Sequence, residues 1–395
     1  MSEILEPREP RDVQHIVEWA LGEGKRLRIE GRGSKRALHA ASEPAQLVSL
    51  RRLAGVIEYQ PEELVLTARA GTRIADIEAL LAQRNQMLAF EPPDLGAILG
   101  GADNDGSLGG TIACNLAGPR RISAGAARDH FLGFQATNGR GERFKSGGKV
   151  VKNVTGYDLS KLLAGSRGTL AILDEVTIKV MPAPEATGTL LVPCAADAEA
   201  IALLCRAMGS AHDVSGAAYL PASVAARSLV DELRRPGSGM TALRVEGVTP
   251  SVQARLAALE QAFGGGRSKM LDTLESRRLW RELRDARPLW AGTPSAAREL
   301  WRLSVPPAAG AEVVARLRAG TAAIEPIYDW SGGLIWLSMA TDAGNGEAIR
   351  AAVSACGGHC TPIRASSERH TDTTGPIAKL SQRIRESFDP RGIFA

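Results

Sequence analysis

The sequence predicts an α+β chain in two parts, a ligand-binding N-terminal domain followed by a domain built on an antiparallel sheet. Three observations carry this expectation. Fifteen of the 42 glycines fall between Gly100 and Glu175, a density whose entropic cost makes sense only where the backbone takes positive φ or comes very close to a ligand. Beyond the proline pair Pro182 and Pro184, a strand-helix-strand-strand-helix-strand order occurs twice, the order of ferredoxin-like sheets. The chain of 395 residues is long enough for two or three cores.

Taken in order, Asp12 caps a helix in which Val13, Ile16, Val17, Ala20 and Leu21 recur at helical spacing, ended by Gly22 to Gly24. A strand at 27–30 runs into Gly31-Arg32-Gly33-Ser34-Lys35, where two glycines free backbone N–H groups to wrap a pyrophosphate and Ser34 adds a hydroxyl. Position 36 is Arg, which excludes both the dinucleotide fingerprint and a Walker loop. Strands at 55–59 and 64–69, a helix from Thr72 and a strand at 87–90 lead to the stiff corner Glu91-Pro92-Pro93-Asp94. Gly109-Gly110-Thr111 is a turn into an apolar run that ends at Asn115. Arg128-Asp129 precedes a hairpin turned at Asn138-Gly139, and Gly165-Ser166-Arg167-Gly168 precedes a buried strand at 170–180.

In the second part the strands are expected at 187–192, 214–220, 241–246 and near Met270, with helices at 196–208 and 252–263. The order recurs with strands at 301–305, 323–328, 334–339 and 359–364 and helices at 312–318 and 347–354. Residues 274–290, with five arginines facing several ways, read as a charged helix or linker between the halves. A last helix at 377–388 carries Ile377, Leu380, Ile384 and Phe388 on one stripe.

Composition excludes several classes. Net charge is +4 and scattered, too weak for a nucleic-acid surface. No apolar run approaches the ~20 residues of a membrane span, and a charged N-terminus predicts a soluble cytoplasmic protein. Five cysteines are too sparse for a disulfide framework. Cys356, His359 and Cys360 lack the spacing of a zinc or iron–sulfur site, so no metal is expected. Asn153-Val154-Thr155 matches a glycosylation acceptor without a secretory context and is read as structure.

The stretches GSLGGTIACNLAG, Arg128-Asp129, KNVTGYDLSKLLAGSRGTL and DEVTIKVMPAP resemble the FAD-binding domain of the vanillyl-alcohol oxidase and p-cresol methylhydroxylase superfamily. Within it, EYQPEELVLTARAGT, CNLAGPRR, LWRLSVP, DWSGGLIWL and CGGH resemble the E-subunit family of bacterial glycolate oxidases. The resemblance implies a two-part FAD-binding domain of the p-cresol methylhydroxylase type at 1–183, with subdomains 1–60 and 61–183. It further implies a cap domain at 184–372 and a C-terminal helix at 373–395 that returns to the FAD domain.

The implied FAD contacts are Gly31, Arg32, Gly33, Ser34 and Lys35 in the first loop, and Pro93 in the proline corner. Gly109, Gly110, Thr111, Asn115, Gly118, Arg128, Asp129, Gly165, Gly168 and Ile172 complete them. Some superfamily members tether the flavin through a histidine; here the loop has Lys35 and the nearest histidine, His39, lies beyond it, so FAD is expected to be noncovalent. Arg302 on a cap strand is the candidate cation for the carboxylate of a 2-hydroxy acid. No base for the hydroxyl proton is evident, because catalytic flavin subunits carry cap-strand histidines where this chain reads YDWSGGLIWL. The expected function is therefore that of an FAD-binding subunit oxidising glycolate to glyoxylate with a second FAD-binding catalytic subunit and an iron–sulfur subunit, at the membrane only through them. A non-catalytic flavin subunit, or a stand-alone oxidase of an acid such as D-lactate, remains the alternative.

Overall fold

The computed structural model describes residues 4–38, 44–148, 156–234, 237–292, 298–320, 323–341, 346–364 and 376–394. His39 and the 153–155 acceptor lie outside the described residues. The chain divides into two compact units, one of residues 1–117, 125–183 and 370–395, the other of 118–124 with 184–369. Residues 118–124, assigned to the first domain from sequence, pack with the second unit.

In the first unit, α1 (Pro10–Glu23) begins two residues before Asp12. Asp12 is not the cap but the third helical residue, its carboxylate accepting the N–H groups of Arg8 and Glu9 at 2.9 and 3.0 Å. Strand β1 (Leu27–Glu30) pairs in parallel with β2 (Gln46–Ser49), a strand too short and irregularly patterned to be evident beforehand. Next come β3 (Val56–Gln60), β4 (Val65–Arg69), α2 (Ile74–Ala82) and β5 (Gln86–Met87). Of the expected 87–90 strand only Met87 pairs, together with Gln86 before it, because the chain breaks towards the proline corner through Glu91, whose φ is 45°.

The glycine stretch holds α3 (Leu108–Ala113), while α4 (Arg121–Ala124) belongs to the second unit. Gly109-Gly110 therefore lies in a short helix rather than a turn, capped by Ser107, whose Oγ accepts the Gly110 N–H. Helix α5 (Ala127–His130), strands β6 (Phe131–Asn138) and β7 (Arg143–Gly147), helix α6 (Leu159–Leu163), and strands β8 (Ala171–Lys179) and β9 (Met181–Pro182) follow. An antiparallel sheet in the order β3-β4-β8-β6-β7 forms the unit's backbone. Its core joins Val13 and Val17 of α1, Leu66 and Ala68 of β4, Ile112 of α3, and Val176 and Ile178 of β8.

The second unit carries one eight-stranded sheet. Its elements are β10 (Ala186–Cys194), α7 (Asp197–Met208), β11 (Gly216–Leu220), α8 (Ala222–Ala225), β12 (Gly239–Gly247), α9 (Thr249–Leu259), β13 (Lys269–Leu271) and α10 (Thr273–Arg284). They continue with β14 (Arg298–Ser304), α11 (Gly310–Gly320), β15 (Glu325–Asp329), β16 (Leu334–Ala340), α12 (Gly346–Ser354) and β17 (His359–Arg364). The strands run in the order β13-β10-β12-β11-β15-β16-β14-β17, with the halves joined where Tyr219 pairs with Tyr328.

Strand alternation sorts the two faces of this sheet. Leu190, Leu243, Trp301, Leu303, Ile335 and Leu337 pack under α7, α9, α11 and α12. On the other face α10 covers β10 and β12, with Trp280 Nε1 donating to Thr189 Oγ1 at 2.9 Å and the Arg244 guanidinium 4.5 Å from the Trp280 ring. The 274–290 segment is thus a packed layer with Leu279, Trp280 and Leu283 buried, not a linker; its apolar stripe was masked by the arginines on its outer side. Finally, α13 (Pro376–Phe388) belongs to the first unit.

Asp174 is fully buried on β8, with Arg143 Nη2 3.4 Å from Oδ2 and no partner for Oδ1. Burial raises its carboxyl, against the opposing charge of Arg143, to about 6. A carboxyl whose folded pKa exceeds its unfolded value contributes stability below the unfolded pKa, and that contribution is lost as pH rises through about 6. Asp174→Asn should therefore stabilise the protein at pH 8 by on the order of 2–3 kcal/mol and flatten its stability between pH 4 and 7. Denaturant unfolding of both proteins across that range checks this; parallel curves would contradict it.

Candidate functional site

A cleft opens in the first unit where three loops meet. Gly31, Arg32, Gly33, Ser34 and Lys35 form one wall, Ser107, Gly109, Gly110 and Cys114 the second, and Ser166 to Gly168 with Ala171, Ile172 and Leu173 the third. The predicted contacts Gly31 to Lys35, Gly109, Gly110, Gly168 and Ile172 are brought together here.

The glycines are required by contact. A Cβ on Gly31 would sit 1.9 Å from Ser107 Oγ, one on Gly110 2.9 Å from the same atom, and one on Gly109 2.7 Å from Ala70 Cβ. The first loop and α3 therefore both press their backbone against the Ser107 side chain, and α3 presses against Ala70 as well. Gly33 and Gly168 have φ of 85° and 80°, so a side chain at either is strained. The first loop is fixed from outside: Arg32 Nε meets Asp105 Oδ1 at 2.5 Å, and Arg51 Nη2 donates to the Arg32 carbonyl at 3.1 Å. Arg32 lines the cleft but its charge is already matched.

Lys35 is different. Its Nζ meets Ser34 Oγ at 3.3 Å, and no carboxylate lies in ion-pair range of it among the described residues. Burial lowers its pKa, against the raising influence of Cys114 and Asp94. A desolvated cation beside a cradle of small residues and N–H groups fits a dianionic pyrophosphate, while the apolar wall of Ala113, Ala171, Ile172 and Leu173 fits flat ring surface.

The remaining predicted contacts do not line this cleft. Thr111 is buried within α3, and its N–H bonds the Ser107 carbonyl. Asn115, at φ 47°, accepts the Arg128 N–H on Oδ1 at 3.0 Å, so those two residues meet each other. Asp129 caps α5 by accepting the Ala126 N–H at 2.8 Å. Gly165 bonds the Ile112 carbonyl, and Pro93 is buried in the corner beyond Glu91. Gly118 lies in the second unit, its carbonyl accepting Trp330 Nε1 at 2.9 Å. Sequence reasoning missed Ser107 and Cys114. Ser107 heads a Ser-Leu-Gly-Gly-Thr run whose cap pattern was the available signal.

On the open face of the second unit's sheet, the Arg121 and Arg302 guanidinium groups lie 4.4 and 5.0 Å from the Trp330 ring. Arg302 faces Thr361 of β17, and Ser304, two residues on, faces His359. His359 thus shares the Arg302 face, while Cys360 packs toward the helices. Partial desolvation, then the charges of Arg302 and Arg121, lowers the pKa of His359, whose side chain is still exposed at the sheet edge. Trp330, Ser331 and Gly332 have φ of 50°, 59° and 99°, a strained turn that costs about 1–3 kcal/mol at each non-glycine residue.

Replacing Lys35 with Met should weaken FAD binding roughly 10- to 100-fold, the worth of a charge-assisted hydrogen bond of about 1.5–3 kcal/mol. Titrating apoprotein by flavin fluorescence measures it, and an unchanged affinity would remove Lys35 from the site.

The FAD binding domain family matches residues 2–147. Glycolate oxidase subunit GlcE of Escherichia coli (strain K12) is 32% identical over 380 residues, 96% of this chain and 93% of that one. Glycolate oxidase subunit GlcD of Bacillus subtilis (strain 168) is 29% identical over 191 residues, 48% of this chain and 38% of that longer one. D-lactate dehydrogenase of Anaerostipes hadrus is 33% identical over 147 residues, 37% of this chain and 29% of that one. Alkyldihydroxyacetonephosphate synthase has the same fold, with a TM-score of 0.71 at 16% identity, covering 99% of this chain and 75% of that one. The chain belongs to the family of the glycolate oxidase subunit GlcE, and is an FAD-dependent oxidoreductase.

Proposed function

We propose that the chain is the FAD-binding subunit of a glycolate oxidase-type complex that oxidises glycolate to glyoxylate and passes electrons to an iron–sulfur subunit. The observation that carries this reading is likeness to subunit GlcE along nearly the whole of both chains. Bound FAD supplies a hydride acceptor that releases electrons singly. The first loop, with Lys35, holds the pyrophosphate noncovalently, and Gly109, Gly110, Gly168 and Ile172 fit against the rest of the cofactor. Asn115, Arg128, Asp129 and Gly165 act behind it by fixing the loops. Each half of the cap sheet is read as a ferredoxin-like unit. Among the described residues no helix is long and apolar enough to cross a membrane; the proposed place is the cytoplasm, reaching the membrane's inner face through partners.

Arg302, with Arg121 beside the same indole, binds and orients the substrate carboxylate. His359 favours a second reading, in which this chain dehydrogenates substrate by itself. A histidine does stand on a cap strand, at the edge rather than in the YDWSGGLIWL segment, and two neighbouring guanidinium groups bias it toward the neutral form that accepts a proton.

Anaerobic addition of glycolate to the isolated FAD-loaded chain separates the readings. Flavin absorbance that stays oxidised until partner subunits are added supports the subunit role. Bleaching of the isolated chain supports the second reading, and then Arg302→Met should raise KM and His359→Gln should lower kcat, each at least tenfold. No reduction in either state would leave a structural flavin subunit.

A further inference from the structure

We infer that α13 is a docking helix for another subunit of the oxidase, whose surface presents an apolar groove rimmed by carboxylates. This rests on the heteromeric reading above and names the surface that would serve it. Within this 13-residue helix no side chain is buried, and Ile377 and Leu380 are 70% and 56% exposed. At about 100° per residue, Ile377, Leu380, Ile384 and Phe388 fall within an arc of roughly 80°. Arg383 flanks one edge of that stripe and Arg385 the other. Gln382 and Glu386, joined at 2.9 Å, occupy the far side.

The helix is firmly footed at one end. Phe388 lies 5.9 Å from Phe144, ring centre to ring centre, and its carbonyl accepts the Gly139 N–H at 2.9 Å. Asp389 then ties the following turn by accepting the N–H groups of Ile393 and Phe394 at 3.0 and 2.8 Å, and both of those residues are buried. The foot sets the direction of the helix, while the stripe toward Ile377 has no cover among the described residues. An isolated helix of this length is marginal in water, so a partner that buries the stripe also stabilises the helix.

Charge and area choose the occupant. Two copies of α13 laid side by side would bring arginine edges against arginine edges, because a two-fold contact pairs like with like. Such a seam, about 20 Å long, also falls well short of the ~800 Å² per partner of a stable interface. A groove encloses a helix on several sides, and carboxylates on its rims would meet Arg383 and Arg385. A lipid surface is disfavoured because the exposed part of the stripe carries no aromatic residue.

The test co-expresses tagged full-length chain with the second flavin subunit and the iron–sulfur subunit. Variants are Ile377→Glu with Leu380→Glu, and separately Arg383→Glu with Arg385→Glu. The wild-type chain should retain both companions. The apolar pair should lower retention at least tenfold, and the charge pair should weaken it most at low salt, with FAD content and thermal melting unchanged in both. Wild-type chain that retains neither companion overturns the heteromeric reading and this proposal with it. Wild-type retention matched by the apolar variant overturns the docking helix alone. Sedimentation showing a wild-type dimer that the variant dissolves, or pelleting with anionic phosphatidylglycerol vesicles that the variant abolishes, would assign the stripe to a second copy or to lipid instead.

Discussion

The cleft of the first unit depends on one turn, Ala70-Gly71-Thr72, which receives backbone from both sides. A Cβ on Gly71 would fall 1.9 Å from the Leu50 carbonyl oxygen and 2.7 Å from that of Leu53, so no other residue permits this approach. The carbonyls of Ala70 and Thr72 then accept the N–H groups of Gly109 and Leu108 at 2.8 and 2.9 Å. Thr72 Oγ1 locks the turn by donating to the Arg69 carbonyl at 2.7 Å and accepting the Gly55 N–H at 2.9 Å. Through these bonds the start of α3 is set against β4. Ser107, placed by the same contact, meets Gly31 of the first loop. The cradle is a consequence of main-chain packing, with few side chains contributing to its shape.

The second unit handles charge in two opposite ways. Arg120 donates to both oxygens of Glu246, at 3.0 and 2.5 Å, and Arg244 lies 3.4 Å away. Burial pushes the Glu246 carboxyl up, but the charges of Arg244 and Arg120 and the Arg120 hydrogen bond hold it at about 2. This matched cluster, with the Trp330 bond to Gly118, fixes the 118–124 segment to the sheet. One residue further, Arg121 instead faces an indole already approached by Arg302, and the nearby titratable group is a histidine whose protonation both cations oppose. The indole holds both guanidinium groups by cation–π contact, and the proposed carboxylate recognition rests on that pair.

Periodicity made most elements legible, since the helices of the second unit bury regular stripes and its strands alternate against them. The glycine loops were legible as well, because entropy cost singles them out. What escaped depended on long-range partners. Strand β2 exists because β1 offers it a parallel edge. Asp12 reads as a cap until Arg8 and Glu9 supply the N–H groups that make it the third residue of the helix. The packed face of α10 was hidden by arginines that project away from the sheet. His359 was read with its cysteine neighbours, whereas strand pairing sets it beside Ser304 and within reach of the Arg302 charge. Asn115 and Arg128 could each be suspected of holding cofactor, but only the fold shows them holding each other.

In the proposed FAD site, Lys35 links ligand binding to stability. Its ammonium is desolvated without a carboxylate in ion-pair range among the described residues, so the charged form is disfavoured in the folded chain. A pyrophosphate at Nζ reverses that balance, because an opposite charge close to a buried cation favours the charged form. The gain is larger than at an exposed lysine, where water already solvates the ammonium. Ligand that binds the folded state alone stabilises it by mass action, and here part of that stabilisation comes from removing a penalty the fold already carries. The glycines around Lys35 serve the same end. They allow the loops to close on one another around Lys35, so that its half-buried ammonium is partly desolvated before any anion arrives, which prepares the site electrostatically as well as sterically.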